Sequence, residues 1–129
     1  MKSCLLGIDL GTTGCKGMVF DENLSILGSS YIKYPLINIS DEEIEQDASE
    51  WWELTGRVIE ESIEKSNIKG RDLKGISVSS QGIAFVPVDR EGVPLCNAFS
   101  WLDTRAGEEA SLILNKMDEE DLFEVTGKR

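Results

Sequence analysis

The stretch "GIDLGTTGCKGMVF", residues 7–20, decides how the beginning of the chain folds. An apolar run ends at Asp9, and a second apolar run, which carries only Lys16 as a charge, follows a short connection. The connection consists of Gly11, Thr12, Thr13 and Gly14. Short apolar runs bounded by glycine are typical of buried strands, and so short a connection suits a hairpin. The stretch therefore predicts two antiparallel strands joined by a tight turn.

The composition of this turn also suits the binding of a phosphate. Backbone N–H groups near glycine form a concave site for anions, and Thr12 and Thr13 add hydroxyl donors. Asp9 repels a phosphate unless a divalent cation lies between them, and Mg²⁺ accepts one carboxylate together with water and phosphate oxygens. Lys16 either adds positive charge near the phosphates or points to solvent. The alternative is a purely structural hairpin turn, since the pattern matches neither G-x-G-x-x-G nor the P-loop.

Length and charge exclude several classes of function. The 129 residues suffice for one domain or for a piece of a larger one. The net charge of −11 argues against a nucleic-acid partner, which requires a basic surface. No segment reaches the roughly 18 apolar residues of a membrane span, and Asp9 interrupts the first apolar run before a signal peptide could form. We therefore expect a cytoplasmic protein with neither a nucleic-acid nor a membrane partner.

The chain contains no histidine, which excludes Ser-His-Asp catalysis and histidine-based metal sites within it. The three cysteines, Cys4, Cys15 and Cys96, are odd in number and lack C-x-x-C spacing. Cys4 and Cys15 lie in predicted strands. We therefore expect these two to be buried, reduced thiols.

The first part of the chain has the pattern of a small antiparallel sheet. Strands are predicted at residues 4–9, 14–20 and 25–33, with short turns between them. Parallel pairing would need long crossovers, so an antiparallel meander is expected. Residues 34–46 are weakly patterned and acidic, and are predicted to form a loop.

A helix is predicted to follow, with Asp47 as its N-cap and Asn67 near its end. Trp51 and Trp52 both fall on its broad apolar face and are expected in the core. Residues 73–79 form the next predicted strand. Because a helical crossover precedes it, this strand is expected to pair in parallel with an earlier one.

The remaining segments give an α/β pattern that looks unfinished. Further strands are predicted at residues 83–89 and 95–101, and helices at residues 104–117 and 118–125. The last helix has no strand to pack on. We expect uncovered apolar surface and hence self-association, for example as a homodimer.

Three blocks together resemble a known family. They are "GIDLGTTGCKGMVFDENLSIL", "EQDASEWWE" and "GISVSSQGIAFVPVDREGVPLCNAFSWLDTR". The first resembles the phosphate motif of the actin, Hsp70 and sugar kinase superfamily. The set resembles the N-terminal part of FGGY carbohydrate kinases, xylulokinase-like members especially. The resemblance implies a ribonuclease H-like (actin-like ATPase) fold, with residues 1–129 forming an incomplete N-terminal domain, and ATP-dependent phosphorylation of a sugar or polyol hydroxyl.

The resemblance also implies roles in nucleotide binding. Asp9 would hold Mg²⁺ through water. The terminal phosphates of ATP would lie against Gly11, Thr12, Thr13, Gly14 and Lys16. The catalytic base of such kinases is an aspartate far downstream, so no residue of this chain is expected to be the base and the isolated chain is expected to be inactive.

Contacts with the sugar are implied for Gln81, Gly82, Ile83, Trp101 and Asp103. Gly82 and Ile83 stand where xylulokinases have a Met–His pair and glycerol kinases an Arg–Glu pair, which supports neither xylulose nor glycerol as substrate. An indole face suits the C–H side of a sugar, and carboxylates suit its hydroxyls. The alternatives are core packing for Trp101, helix capping for Asp103 and backbone pairing for Gln81.

Two other functional classes share features with this sequence. An actin-like or chaperone-type ATPase also uses a D-x-G-T-T-like turn, but the Trp-Trp helix and the "WLDTR" block are not expected there. A binding module without catalysis would use the turn structurally. ATP binding and the response of ATP consumption to sugars distinguish the three.

Overall fold

The computed structural model of the chain describes residues 3–127. The strands in that range are β1 (Cys4–Leu10), β2 (Gly14–Phe20), β3 (Ile26–Lys33), β4 (Ile37–Asn38), β5 (Ile44–Gln46), β6 (Leu73–Ser80) and β7 (Ala98–Phe99). The α-helices are α1 (Ala48–Ser66), α2 (Gly107–Leu114) and α3 (Glu119–Thr126), and a 3₁₀ turn covers Gly70–Asp72.

The larger sheet of the described chain has the strand order β3-β2-β1-β6. β1 pairs antiparallel with β2, and β2 pairs antiparallel with β3. β6 returns after α1 and pairs in parallel with β1. The predicted meander and its parallel partner are therefore confirmed, and the long crossover is the helix that the sequence indicates.

Helix α1 covers one face of this sheet. Asp47 caps it by accepting the Ser49 N–H at 2.8 Å, and Asn67 ends it in the left-handed conformation. Val58 is fully buried and Trp51 packs against the core. Trp52 is 83% exposed, so its prediction as a core residue is wrong. Adjacent helical residues are about 100° apart, and only the side that includes Trp51 faces the sheet.

Two glycines let α1 approach the strands closely. A Cβ at Gly17 would lie 2.7 Å from Ser62 Oγ and from Val58 Cγ1. A Cβ at Gly28 would lie 2.5 Å from the Ser66 backbone nitrogen. Interiors pack densely, so the absence of a side chain at these positions sets the distance between helix and sheet.

Cys4 and Cys15 are free thiols with no exposed surface, as predicted, whereas Cys96 is exposed. Burial, and secondarily the charge of Asp9, raises the pKa of the Cys15 thiol, although a hydrogen bond with Thr55 opposes this shift. Thiolates react with alkylating reagents and buried neutral thiols do not.

We expect iodoacetamide to modify one thiol of the native chain, Cys96, and all three in denaturant. Mass spectrometry counts the adducts. The Cys96→Ser variant serves as control and should take up no reagent while folded. Equal modification rates at all three cysteines of the native chain would contradict the described packing.

The second half of the chain is less regular than predicted. Residues 34–46, predicted as a loop, contain β4 and β5, which pair with each other, and β5 also pairs with β7 to complete a small sheet. The strand predicted at residues 83–89 is reduced to isolated bridges, and the one predicted at 95–101 to β7. The helix predicted at residues 104–117 covers only α2. Short irregular pairings of this kind lack the alternation that reveals a strand.

Apolar side chains remain uncovered at the edge of the larger sheet and on the last helices. Ile76 and Val78 of β6 are 59% and 63% exposed. None of the described residues of α2 or α3 is buried. This surface agrees with the expectation of an incomplete domain. None of the described helices has the length and apolar character needed to cross a bilayer.

Candidate functional site

The turn between β1 and β2 is held through its carbonyl oxygens. The buried hydroxyl of Tyr34 donates to the Gly11 carbonyl, and burial raises the pKa of this hydroxyl to about 12, which keeps it protonated. Gln46 Nε2 donates to the Thr12 carbonyl at 2.8 Å. The Tyr34 backbone N–H donates to the Thr13 carbonyl at 3.3 Å. Three consecutive carbonyls are thus bonded within the protein.

The other side of the turn presents backbone donors. The Gly11 N–H donates to the Gly14 carbonyl at 3.0 Å, which closes the turn. Within residues 3–127, no group accepts the N–H of Thr12 or of Thr13. Adjacent free N–H groups bind the acceptor oxygens of an anion. The geometry therefore suits the phosphate contact that the glycines and threonines predict.

Asp9 and Lys16 lie directly opposite each other in the β1–β2 ladder, on the face turned away from α1. Both are exposed. In the described part of the chain no His, Cys, Asp or Glu side chains form a group of three that could hold a metal. A lone carboxylate beside a phosphate site fits Mg²⁺, which completes its shell with water and phosphate oxygens. The residues therefore fit the cation together with a nucleotide.

The carboxyl end of β6 lies beside this turn. The Gln81 N–H donates to the Leu10 carbonyl at 2.8 Å, and Gln81 Nε2 donates to Gln46 Oε1 at 2.9 Å. Gly82 and Ile83 follow as exposed residues, and Ile83 has a positive φ of 70°, which is strained for a β-branched side chain. Ligands of α/β sheets bind at the carboxyl ends of parallel strands. A sugar contact by these residues stays a prediction.

Trp101 bridges the two parts of the site. Its indole Nε1 donates to Thr12 Oγ1 at 2.8 Å, and the residue is 49% exposed. Core packing, the alternative considered for Trp101, does not fit that exposure. Because Thr12 Oγ1 accepts from the indole, its own proton points elsewhere and is available to an acceptor. The indole thus joins the predicted sugar site to the phosphate turn.

Asp103 lies at the centre of a charged clamp. Its carboxylate accepts from the Ile44 N–H at 2.9 Å and forms a salt bridge with Arg105 Nη2 at 2.8 Å. The same guanidinium contacts Glu45 Oε1 at 2.8 Å and lies 4.8 Å from the Phe99 ring centroid. Asp103 does not cap α2, whose N-cap is the residue before Gly107 and makes no side-chain bond. The clamp fastens the "WLDTR" segment to β5.

The clamp predicts a loss of stability in acid. The hydrogen bond from Arg105 lowers the pKa of Asp103, and those from Asn97 and Arg105 lower the pKa of Glu45. A carboxylate whose pKa is lower in the folded state stabilises the folded state above about pH 4, and this contribution is lost as the pH falls further.

We expect Arg105→Met to destabilise the chain at pH 7 and much less at pH 3, measured by urea unfolding. Arg90→Met is the control, and an equal cost at both pH values would refute the clamp.

Sequence reasoning did not identify Tyr34 and Gln46 as site residues. Both lie in the segment that was predicted to be a loop, and each acts on the turn over a long sequence separation. The only signal was the position of Gln46 in the block "EQDASEWWE", directly before the N-cap of α1.

Comparison with known proteins decides the family. The family model described as the FGGY family of carbohydrate kinases, N-terminal domain, matches residues 4–129. The chain belongs to this family. The predicted membership is thereby confirmed, and the assignment separates this FGGY chain from the chaperone-type ATPases considered as an alternative.

Individual relatives of the FGGY chain carry different substrate names. A xylulose kinase of Staphylococcus epidermidis is 37% identical over 105 residues, which are 81% of this chain and 21% of that protein. A glycerol kinase of Rhizobium meliloti is 32% identical over 128 residues, 98% of this chain and 26% of that protein. The FGGY chain thus spans about a quarter of the length of these relatives.

Solved structures support the fold. The crystal structure of gluconate kinase from Lactobacillus acidophilus superposes with a TM-score of 0.86 at 24% identity, covering 96% of this chain and 25% of that one. The predicted α/β fold of the ribonuclease H-like, actin-like ATPase type is confirmed.

Proposed function

We propose that this chain supplies the phosphate-binding turn and part of the sugar site of a carbohydrate kinase. The kinase would transfer the γ-phosphoryl group of ATP to a hydroxyl of a sugar or polyol. The observation that carries this proposal is the turn itself, whose carbonyls are bonded inward while the N–H groups of Thr12 and Thr13 have no described acceptor. The family to which the chain belongs supports the reaction class.

Positioning and charge neutralisation supply most of the catalysis in phosphoryl transfer. The N–H groups and hydroxyls of Thr12 and Thr13, with the backbone of Gly11 and Gly14, would orient the β- and γ-phosphates. Asp9 would hold Mg²⁺ on the exposed face of β1. Bound there, Mg²⁺ would neutralise charge on the phosphate oxygens.

Lys16 would add a positive charge on that face, directly across the ladder from Asp9. The proposal places no catalytic base in this chain. The base would be an aspartate in the region that the longer relatives have in addition to the part matched by this chain.

The sugar would lie between the carboxyl end of β6 and the indole of Trp101. Gln81 offers hydrogen bonds, Gly82 leaves space, and Ile83 and the half-exposed indole offer apolar contact. Both Asp103 oxygens already accept bonds within the clamp, so its part in the site would be to hold Trp101 in place beside the turn.

The proposed setting is the cytoplasm, where ATP is available and the free thiols of Cys4 and Cys15 stay reduced. The proposed partners are ATP and a small sugar or polyol. A homodimer formed through uncovered apolar surface, such as that of Ile76 and Val78, is part of the same proposal.

The test is a screen of the protein that carries this chain for ATP consumption with pentoses, hexoses, deoxysugars, sugar acids and polyols. We expect consumption to depend on one class of hydroxyl compound and to yield its phosphate ester. ATP hydrolysis indifferent to every sugar, or stimulated by peptides, would instead favour a conformational ATPase.

A further inference from the structure

The two glutamines of this chain, Gln81 and Gln46, form a continuous series of hydrogen bonds that ends at the phosphate turn. Gln81 Nε2 donates to Gln46 Oε1 at 2.9 Å, and Gln46 Nε2 donates to the Thr12 carbonyl at 2.8 Å. Gln46 is 1% exposed, so its amide has no water to replace a lost partner. Such buried polar groups are costly to leave unpaired.

The direction of these hydrogen bonds, from donor to acceptor, follows from the chemistry of the groups. The Thr12 carbonyl is an acceptor only, so Gln46 must turn its NH₂ group toward it. The side-chain oxygen of Gln46 then faces Gln81, and Gln81 must donate a hydrogen bond to it from its own NH₂ group. A single backbone carbonyl therefore sets the orientation of both side-chain amides.

The consequence lies at the free end of Gln81. Its Oε1 is excluded from solvent, and no residue in the described range donates a hydrogen bond to it. Gln81 directly follows the last residue of β6, and the next two residues of the chain, Gly82 and Ile83, are exposed. Buried acceptors are normally paired, and the hydroxyl of a ligand bound at this end of β6 would supply the donor that Gln81 Oε1 lacks.

We propose that Gln46 is a positioning residue that makes Gln81 present an acceptor oxygen to a hydroxyl of the substrate. This inference rests on the proposed kinase function. It adds which partner donates and which accepts in one hydrogen bond between the protein and the sugar. A substrate hydroxyl donates to Gln81 Oε1, whereas a carboxylate or a carbonyl at the same place has no proton to donate. Gln46 also ties this contact to the backbone of Thr12, on which the ATP phosphates rest.

The two glutamines should therefore leave different kinetic signatures in the protein that carries this chain. Gln81→Leu should raise KM for the sugar about 3- to 10-fold, the loss of one neutral hydrogen bond, and leave KM for ATP unchanged. Gln46→Met, which keeps the side-chain length, should raise both KM values. If either residue had only a structural role, its substitution would lower the folded fraction and kcat without the different effects on the two KM values.

The decisive measurement is a double-mutant cycle. If Gln46 acts on the sugar through Gln81, the combined variant should have the sugar KM of Gln81→Leu alone, so the two effects should not multiply. Asn38→Met, at an exposed amide on β4, is the matched control and should change neither KM. Independent, multiplying effects on the sugar KM would overturn the inference.

A second measurement needs no substitution at Gln46. A series of monodeoxy analogues of the best substrate should contain one analogue with a 3- to 10-fold higher KM for the wild type. That analogue and the parent should have equal KM values for Gln81→Leu. Activity without any such analogue would overturn the inference alone, whereas a wild type that neither binds ATP nor phosphorylates any hydroxyl compound would overturn the proposed function as well.

Discussion

Replacing Asp9 with alanine should lower the turnover of sugar phosphorylation about 10²- to 10³-fold in the protein that carries this chain, the scale of losing one preorganised charge-stabilising group. The residue is exposed at the end of β1, and in the range 3–127 no salt bridge involves it. Its removal should therefore leave the folded state almost unchanged. Steady-state kinetics at saturating ATP and urea unfolding measure the two effects separately.

Two further variants complete this test. Asp9→Asn keeps the shape of the side chain but removes its charge, and should lose nearly as much activity as the alanine variant. Asp41→Ala, at an exposed carboxylate in the loop between β4 and β5, should retain wild-type turnover. Normal turnover by Asp9→Ala would remove Asp9 from the mechanism.

Replacing Gly28 with alanine should destabilise the chain by about 1–3 kcal/mol, the usual cost of overpacking. A Cβ there would lie between 2.5 and 2.8 Å from backbone atoms of Ser62, Lys65 and Ser66, which belong to α1 and cannot rotate away. The helix would have to move off the sheet. The free energy of unfolding in urea measures the cost.

Gly56→Ala is the matched control, because nothing lies within 4 Å of a Cβ at this exposed position of α1. It should stabilise the chain by up to about 1 kcal/mol through helix propensity. Equal stability of the Gly28 and Gly56 variants would contradict the close contact between α1 and β3.

The sequence predicts the larger sheet and α1 well because both have strong local patterns. Apolar runs bounded by glycine identify β1 and β2, and the Asp47 cap with its periodic apolar residues identifies α1. Trp52 was misplaced because a pattern of period 3.6 defines a broad stripe, whereas the sheet covers only part of it. β4, β5 and β7 are two or three residues long and carry no readable period.

The residues of the candidate site also fall into two groups, those that the sequence predicts and those that only the structure reveals. Asp9 and the Gly-Thr-Thr-Gly turn are contiguous, so their chemistry is visible in the sequence. The contribution of Gln46 depends on Thr12 and Gln81, which lie 34 and 35 residues away along the chain. Such non-local hydrogen bonds leave no local pattern, and only the folded chain reveals them.

The most direct test of the account is a crystal structure of the protein that carries this chain with Mg²⁺ and a non-hydrolysable ATP analogue. We expect the β- and γ-phosphates within hydrogen-bonding distance of the N–H groups of Thr12 and Thr13, with the metal on the side of Asp9. A nucleotide bound away from the turn between β1 and β2 would contradict the assignment of this turn and the kinase function built on it.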